Sequence, residues 1–263
     1  TAFHNIKVKA AEDYTSYNLF EQTISVSVDS EFRAPNITTD SVITGGFKEN
    51  ITSVGSTTGD GYKVYGNQGD DTLRGSEAAN KVGDWLEGGE GDDIIYAGSA
   101  ATIVRESEVG TSKDYAYNML AGNLGHDTIY GSEGVDRIYG GDAGIDDIGD
   151  EMYGYGGNDV IKGADGDDII VGGTGNDELW GRGGNDTFIY EIGDGHDVIK
   201  DAAMGDIIQI ETVGASFQKV QQVGANLVLT FDEDNTITIE NFNYADAADN
   251  IDSIKIKTAE GYN

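Results

Sequence analysis

GYGGNDVIK (154–162), GADGDDIIV (163–171), GGTGNDELW (172–180) and GRGGNDTFI (181–189) follow one another without a gap, and each step along Asp159, Asp168, Asp177 and Asp186 is nine residues. Carried toward the N-terminus, the same register puts Asp150, Asp136, Asp127, Asp93, Asp84 and Asp71 at the sixth place, with Asn118 standing in once. Insertions at Ser76 to Ala79, at roughly Gly98 to Tyr115 and at Gly141 to Ile145 interrupt the period. Each is expected between complete repeats, where loops on a repeat scaffold belong.

A repeat divides into a glycine-rich half and a short apolar-centred half, as in Asp127-Thr128-Ile129-Tyr130 before Gly131. That pattern predicts a turn followed by a short strand. Glycine at the first and fourth places permits positive φ without a steric penalty, and the middle residue of each strand can point inward. The inward column is Leu73, Leu86, Ile95, Leu120, Ile129, Ile138, Met152, Ile161, Ile170, Leu179 and Phe188. All are large and apolar, which fixes the register.

The composition agrees with a metal-dependent scaffold. Against 48 acidic residues stand 16 Lys and Arg, for a net charge of -32, so the compact chain repels itself unless a cation is supplied. A surface of that sign has no basic footprint for nucleic acid. There is no cysteine, hence neither disulfide nor thiolate chemistry. No apolar run is long enough for a transmembrane helix, and the start at Thr1 without a signal pattern reads as a piece of something longer.

At the Gly-x-Gly-x-Asp turns the backbone carbonyls lack ladder partners and a carboxylate follows at a fixed offset, an all-oxygen donor set suited to a hard cation. Stacked turns would bring the Asp of one repeat beside that of the repeat two along. Calcium suits such flexible, oxygen-rich turns better than magnesium, which keeps its waters and demands a rigid octahedron.

Over roughly Gly66 to Asp201 the repeats resemble the nonapeptide G-G-x-G-x-D-x-U-x of the RTX family. The resemblance implies an all-β fold, a right-handed parallel β-roll in which two repeats make one turn and calcium sits between adjacent turns on each edge. It also implies the ligands, namely the sixth-place carboxylate and carbonyls of the first four places. Carried over, the carboxylates are Asp71, Asp84, Asp93, Asp127, Asp136, Asp150, Asp159, Asp168, Asp177, Asp186 and, in the closing segment, Asp197. The turn glycines are Gly66 and Gly69, Gly88 and Gly91, Gly122 and Gly125, Gly131 and Gly134, Gly154 and Gly157, Gly163 and Gly166, Gly172 and Gly175, and Gly181 and Gly184. Pairing each Asp with the one two repeats along gives about eight ions. Asn118 supplies no charge, and the turn before Asp84, Ala79-Asn-Lys-Val-Gly83, lacks the usual glycines.

The expected organisation is an N-terminal β-strand segment over 1–60, the roll over 61–200 and C-terminal capping strands over 201–263. In the first, Thr23-Ile-Ser-Val-Ser-Val28 alternates as a strand does and looks like the end of a β-sandwich or a linker. In the last, Asp206 to Glu211, Asn226 to Phe231 and Thr236 to Phe242 read as strands, with Asp232 to Asn235 as a hairpin turn, and they are expected to fold back over the outward residues Ile169, Val171, Thr187 and Ile189.

The resemblance further implies export through type I secretion machinery and a secreted, extracellular or cell-surface location. It casts the chain as a folding, capping and spacing module of a larger protein, an adhesin by its N-terminal pattern or, alternatively, a toxin or secreted hydrolase. No zinc-helix histidine pair, G-x-S-x-G elbow or phosphate loop is present, so no catalytic residue is assigned and the chain is expected not to be an enzyme. His4, His126 and His196 are read as structural. A regular outward array of one residue type is missing, since the third places run Gln68, Glu90, Leu124, Glu133, Gly156, Asp165, Thr174 and Gly183. The remaining ligand reading is a row with Tyr96, Tyr130 and Tyr153 stacked on one face, for which packing and binding of cell-surface glycans are the competing roles.

Overall fold

The computed structural model describes residues 62–75, 77, 83–101, 117–141 and 148–242, with the short strands Thr23–Ser25, Phe32–Arg33, Ser41–Thr44, Ile51–Thr52, Arg105–Glu106, Lys113–Asp114, Ser253–Thr258 and Gly261–Tyr262. Most of the expected N-terminal segment, including His4, and most of the three insertions lie outside them. Among the described residues there is no helix, and regular structure is strand throughout. The chain divides into two compact units, Thr1–Arg137 and Ile138–Asn263.

In the first unit successive strands alternate between two sheets. Tyr62–Gln68, Trp85–Glu90 and Asn118–Leu124 lie side by side in one, and Thr72–Arg74, Ile94–Tyr96 and Thr128–Ser132 in the other. All these pairings are parallel and put equivalent repeat places opposite each other, Val64 to Leu86 to Leu120 in one sheet and Leu73 to Ile95 to Ile129 in the other. Each of those six side chains is wholly buried. The architecture is therefore a β-roll, in which turn, strand, turn and strand make one coil. Every strand has only one inward side chain per repeat, so burial depends on the coils stacking. Thr23–Ser25 and Ser41–Thr44 pair in parallel into the first sheet, and Phe32–Arg33 and Ile51–Thr52 into the second. This is the pairing of the roll, whereas a sandwich end would bring antiparallel neighbours.

The second unit repeats the scheme. Met152, Ile170, Phe188 and Ile208 form one buried column, and Ile161, Leu179, Ile199 and Ile239 the other. The inward residues expected from the nine-residue register are all buried, none more than 2% exposed. Parallel stacking continues past the repeats, since Ile207–Ile210 adds to Thr187–Tyr190 and Thr236–Ile239 to His196–Ile199.

The end of the second unit changes character. Thr236–Ile239 pairs antiparallel with Asn226–Thr230, which pairs antiparallel with Lys219–Val223, a strand that sequence pattern alone did not mark. Phe231 and Asn235 close the hairpin between the first two, at the expected Asp232 to Asn235 turn. These strands do not fold back over Ile169, Val171, Thr187 and Ile189, which stay half-buried; they extend the sheets sideways. The physical reason is that the last coil leaves unpaired N–H and C=O groups on its rim, and pairing those gains more than covering a few aliphatic side chains already shielded by their neighbours along the row.

Because each rung carries one inward side chain, a core truncation should act locally and strongly. Ile170→Ala should cost about 2–5 kcal/mol of the calcium-loaded stability. Val220→Ser, at a side chain 52% exposed, should change it by less than about 0.5 kcal/mol. Denaturant titration of both variants at one calcium concentration checks the difference.

Candidate metal centre

The sixth-place carboxylates are buried in columns along the edges of the roll. Asp71, Asp93, Asp127, Asp159, Asp168, Asp177 and Asp186 are each 1% exposed or less. One oxygen of Asp93, Asp127, Asp168, Asp177 and Asp186 is accounted for by the neighbouring coil. Asp71 N–H donates to Asp93 Oδ1 at 2.7 Å, and Asp93 N–H to Asp127 Oδ1 at 2.8 Å. In the second unit the chains of donation run Asp150 to Asp168 to Asp186 to Asp206, and Asp159 to Asp177 to Asp197, at 2.7 to 3.1 Å. The carboxylate column is thus also a hydrogen-bond ladder, and it locks the register of the turns.

At Asp93, Asp177 and Asp186 the second oxygen is left to something else. Oδ2 of Asp93, Asp177 and Asp186 is buried and accepts no hydrogen bond. An ionised oxygen in that state costs several kcal/mol unless a cation meets it. The space it faces is made by glycine. A Cβ added to Gly88, Gly172 or Gly181 would overlap the Oδ2 of Asp93, Asp177 or Asp186, and one added to Gly154 would overlap both Asp159 Oδ2 and the carbonyl of Gly172 in the next coil. First-place glycine therefore keeps open a cradle lined by a carboxylate and a carbonyl oxygen.

The second place of the turn decides whether that oxygen stays open. Gly89, Gly173 and Arg182, which precede Asp93, Asp177 and Asp186, have φ of +128°, +88° and +71°. Tyr155 and Arg182 take the left-handed region although both carry long side chains, so the turn imposes it. Ala164 and Ser132 lie outside that region, and their N–H groups turn inward, Ala164 to Asp168 Oδ2 at 3.1 Å and Ser132 to Asp136 Oδ2 at 2.5 Å.

Electrostatics tell the same story. Burial above all pushes the carboxyls of Asp93 and Asp186 up to about 8 and that of Asp177 to about 7, against the stabilising N–H of the preceding coil. Neighbouring carboxylates add to the rise, Asp127 and Asp71 for Asp93, Asp206 and Asp168 for Asp186. Among the described residues no three His, Cys, Asp or Glu side chains converge, so a cation would be held by backbone carbonyls with few carboxylates. Hard oxygen donors on closely stacked turns fit calcium. Of the sequence-assigned residues, first-place Gly66, Gly88, Gly154, Gly163, Gly172 and Gly181 lie against the carboxylates of Asp71, Asp93, Asp159, Asp168, Asp177 and Asp186, and two departures stand out. Asp84 and Asp150 point Oδ2 at Gly75 and Gly140, so the insertions Ser76 to Ala79 and Gly141 to Ile145 fall inside turns, after the first place, and not between complete repeats. Asp136 has both oxygens hydrogen-bonded by the protein.

Sequence reading missed three things. Asp206 closes a ladder, although its repeat has lost its glycine pattern, and Asp201 accepts from Gly181 and Arg182 N–H at 3.0 and 3.2 Å. A second ladder runs along the fifth places with opposite polarity. Asp92 N–H donates to Asp70 Oδ1, His126 N–H to Asp92 Oδ1, Asn176 N–H to Asn158 Oδ1, His196 N–H to Asn176 Oδ1 and Asn185 N–H to Asp167 Oδ1, at 2.7 to 3.0 Å. The recurring Asn-Asp and Asp-Asp doublets were its visible signal. His126 and His196 sit in this ladder through their backbones.

A carboxyl raised in the fold stabilises the metal-free fold below its unfolded value near 4 and loses that contribution as pH rises through 7 to 8. Protons and calcium are then alternative ways of neutralising the same buried carboxylates, and the calcium midpoint for folding, followed by circular dichroism, should fall as pH is lowered from about 8 to about 5. Separately, Gly181→Ala crowds Asp186 Oδ2 and should lower the calcium-loaded stability, read by denaturant titration at one calcium concentration, by an overpacking cost of about 1–3 kcal/mol.

Comparison with known proteins accords with this reading. The family model described as the RTX calcium-binding nonapeptide repeat (4 copies) matches residues 63–82, 83–101, 118–143, 153–188 and 162–199. No curated protein matches the chain. Among solved structures the extracellular lipase LipA from Serratia marcescens matches at 16% identity and a TM-score of 0.34, over 87% of this chain and 39% of that one, so the chain spans about two fifths of the lipase. Residues 63–101, 118–143 and 153–199 of this chain carry the RTX calcium-binding nonapeptide repeat, wound into a β-roll.

Proposed function

We propose that the chain is a non-catalytic module that is exported by type I secretion in an unfolded state, folds on calcium outside the cell, and stabilises and spaces a larger extracellular protein. The observation that carries this reading is the buried carboxylate column, in which Oδ2 of Asp93, Asp177 and Asp186 accepts nothing from the protein. When bound, calcium would supply the charge that lets these groups remain ionised while buried. First-place glycines make room, left-handed second-place residues leave Oδ2 without a backbone donor at Asp93, Asp177 and Asp186, and sixth-place Oδ1 atoms fix the spacing of the coils. About eight ions is the expected complement.

The adhesin parent drew its support from a sandwich-like N-terminus. The parallel pairing of Thr23–Ser25 and Ser41–Thr44 does not supply that support, so a toxin or secreted hydrolase serves equally as the larger protein. No helix among the described residues is long and apolar enough to cross a membrane.

Glycan binding by the tyrosine face is the second reading, and ring geometry favours packing over it. Tyr96 and Tyr130 stack with centroids 4.9 Å apart at 15°, and the guanidinium of Arg74 lies 3.9 Å from the Tyr96 centroid. Both faces of the Tyr96 ring are thereby used within the protein, whereas a sugar-binding tyrosine needs one free.

Without calcium the repeats should be unfolded at neutral pH, and millimolar calcium should fold them cooperatively. Far-ultraviolet circular dichroism in chelator, then with calcium or magnesium added, provides the test. A β spectrum unchanged by chelator would refute calcium-dependent folding, and equal action of magnesium would refute selectivity.

A further inference from the structure

One rung of the carboxylate column is built differently from the rest. Asn118 occupies the ladder position of a sixth-place Asp, since its Oδ1 accepts from Asp84 N–H at 3.1 Å as Asp93 Oδ1 accepts from Asp71 N–H. Where an aspartate would present a second carboxylate oxygen, Asn118 presents Nδ2, a donor, which reaches Asp136 Oδ1 at 2.6 Å and Ser132 Oγ at 3.2 Å. Asp136 Oδ2 is taken as well, by Ser132 N–H at 2.5 Å and Ser132 Oγ at 2.9 Å. All three residues are buried, at 0%, 5% and 0% exposure for Asn118, Ser132 and Asp136.

The contrast lies within the same unit. Asp93 has a left-handed Gly89 at the second place of its turn and a buried Oδ2 that accepts no hydrogen bond. Asp136 has Ser132 there, outside the left-handed region, so that backbone N–H and hydroxyl both face the carboxylate. The Ser132 hydroxyl also accepts from Gly134 N–H at 3.2 Å, which ties it to its own turn. An amide donor from one side and two donors from the other provide what a cation would provide: positive hydrogens on both oxygens of a buried carboxylate. Replacing Nδ2 by a carboxylate oxygen would set two negative groups against each other and recreate the demand for a divalent ion.

We propose that Asn118 and Ser132 together take the place of a cation at Asp136, so that this turn is locked by hydrogen bonds alone and takes up no calcium. The assignment rests on the calcium-folding reading and deepens it, because it says which position in the column is closed to the metal and which residues close it. It also makes the local rule explicit. A left-handed second place leaves the carboxylate open to a cation, and a second place outside that region turns its own N–H onto it.

The test is the number of calcium ions bound per chain, measured by equilibrium dialysis on the full chain in saturating calcium, with circular dichroism to confirm folding. Asp136→Asn should leave the ion count at the parent value, while Asp93→Asn should lower it. Asn118→Asp combined with Ser132→Gly should bind about one more ion than the parent. The assignment is overturned if Asp136→Asn loses calcium as Asp93→Asn does, or if the folded double variant binds no more than the parent. Should the double variant fail to fold, the comparison of Asp136→Asn with Asp93→Asn still decides. A parent chain that binds no calcium would instead refute the calcium reading itself, a separate result from a parent that binds calcium and loses some on Asp136→Asn.

Discussion

Everything in this fold depends on burying negative charge in register. The column of sixth-place aspartates is as deeply buried as the aliphatic column it runs beside, and Asp93 and Ile95 are both fully inaccessible. Hydrophobic burial alone does not hold such a structure, because each coil contributes only one inward side chain per strand and carries its carboxylates with it. The ladder of N–H to Oδ1 bonds supplies alignment at roughly the strength of ordinary charged hydrogen bonds, about 1.5–3 kcal/mol each. It cannot offset the cost of an ionised Oδ2 in the same place. The fold is therefore conditional, and the condition is chemical: protonate the carboxylates, bring a cation to them, or surround them with donors.

The molecule uses that third solution sparingly. Asp136 is surrounded through Asn118 and Ser132, and Asp206 at the end of its ladder receives Ala203 N–H on Oδ2 at 2.7 Å. At the C-terminal end Asn235 performs a related task, accepting from Gly193 N–H at 2.6 Å while its amide is held by Asp232. Tyr190 completes that contact by donating to the Gly195 carbonyl at 2.8 Å. The hairpin thereby fastens this turn through Asn235 and Tyr190, with Asp232 holding the Asn235 amide. Outward faces follow a similar economy of scarce positive charge. Lys162 lies 4.5 Å from the Trp180 ring, and Lys200 lies 5.7 Å from the same ring while pairing with Glu240 at 2.7 Å.

The inward column and the identity of the sixth-place residues were legible in the sequence because both are dictated by period. A nine-residue spacing with a large apolar residue at the eighth place has one stacking solution, and every assigned residue from Leu73 to Phe188 is buried as that solution requires. Hydrogen-bond polarity was not legible. Nothing in the letters Asn-Asp says that the first residue accepts from the coil after it and the second from the coil before it. The parallel pairing of Ser41–Thr44 with Tyr62–Gln68 was equally hidden, since alternation announces a strand but not its neighbour. Asp206 escaped because its turn lacks the glycine pair, and Lys219–Val223 because an exposed edge strand has no buried face to betray it. The sign of φ at the second place was beyond reach for Tyr155 and Arg182, residues that ordinarily refuse the conformation the turn forces on them.

The spacing along the ladders carries one more implication. Partners are 22 and 34 residues apart at Asp71 to Asp93 and Asp93 to Asp127, but 18 at Asp150 to Asp168 and 20 at Asp177 to Asp197. The bond between rungs is the same in each case, so the scaffold measures position in the stack and is indifferent to the length of chain between rungs. In the widest gap the backbone even forms a small hairpin of its own, Arg105–Glu106 against Lys113–Asp114. On the calcium-folding reading, a foreign peptide spliced there would be carried by a folded scaffold when calcium is present and dispersed with the rest of the chain when it is removed. The gap is a natural port for reversible display, in which a change of ion concentration decides whether the inserted epitope has a shape.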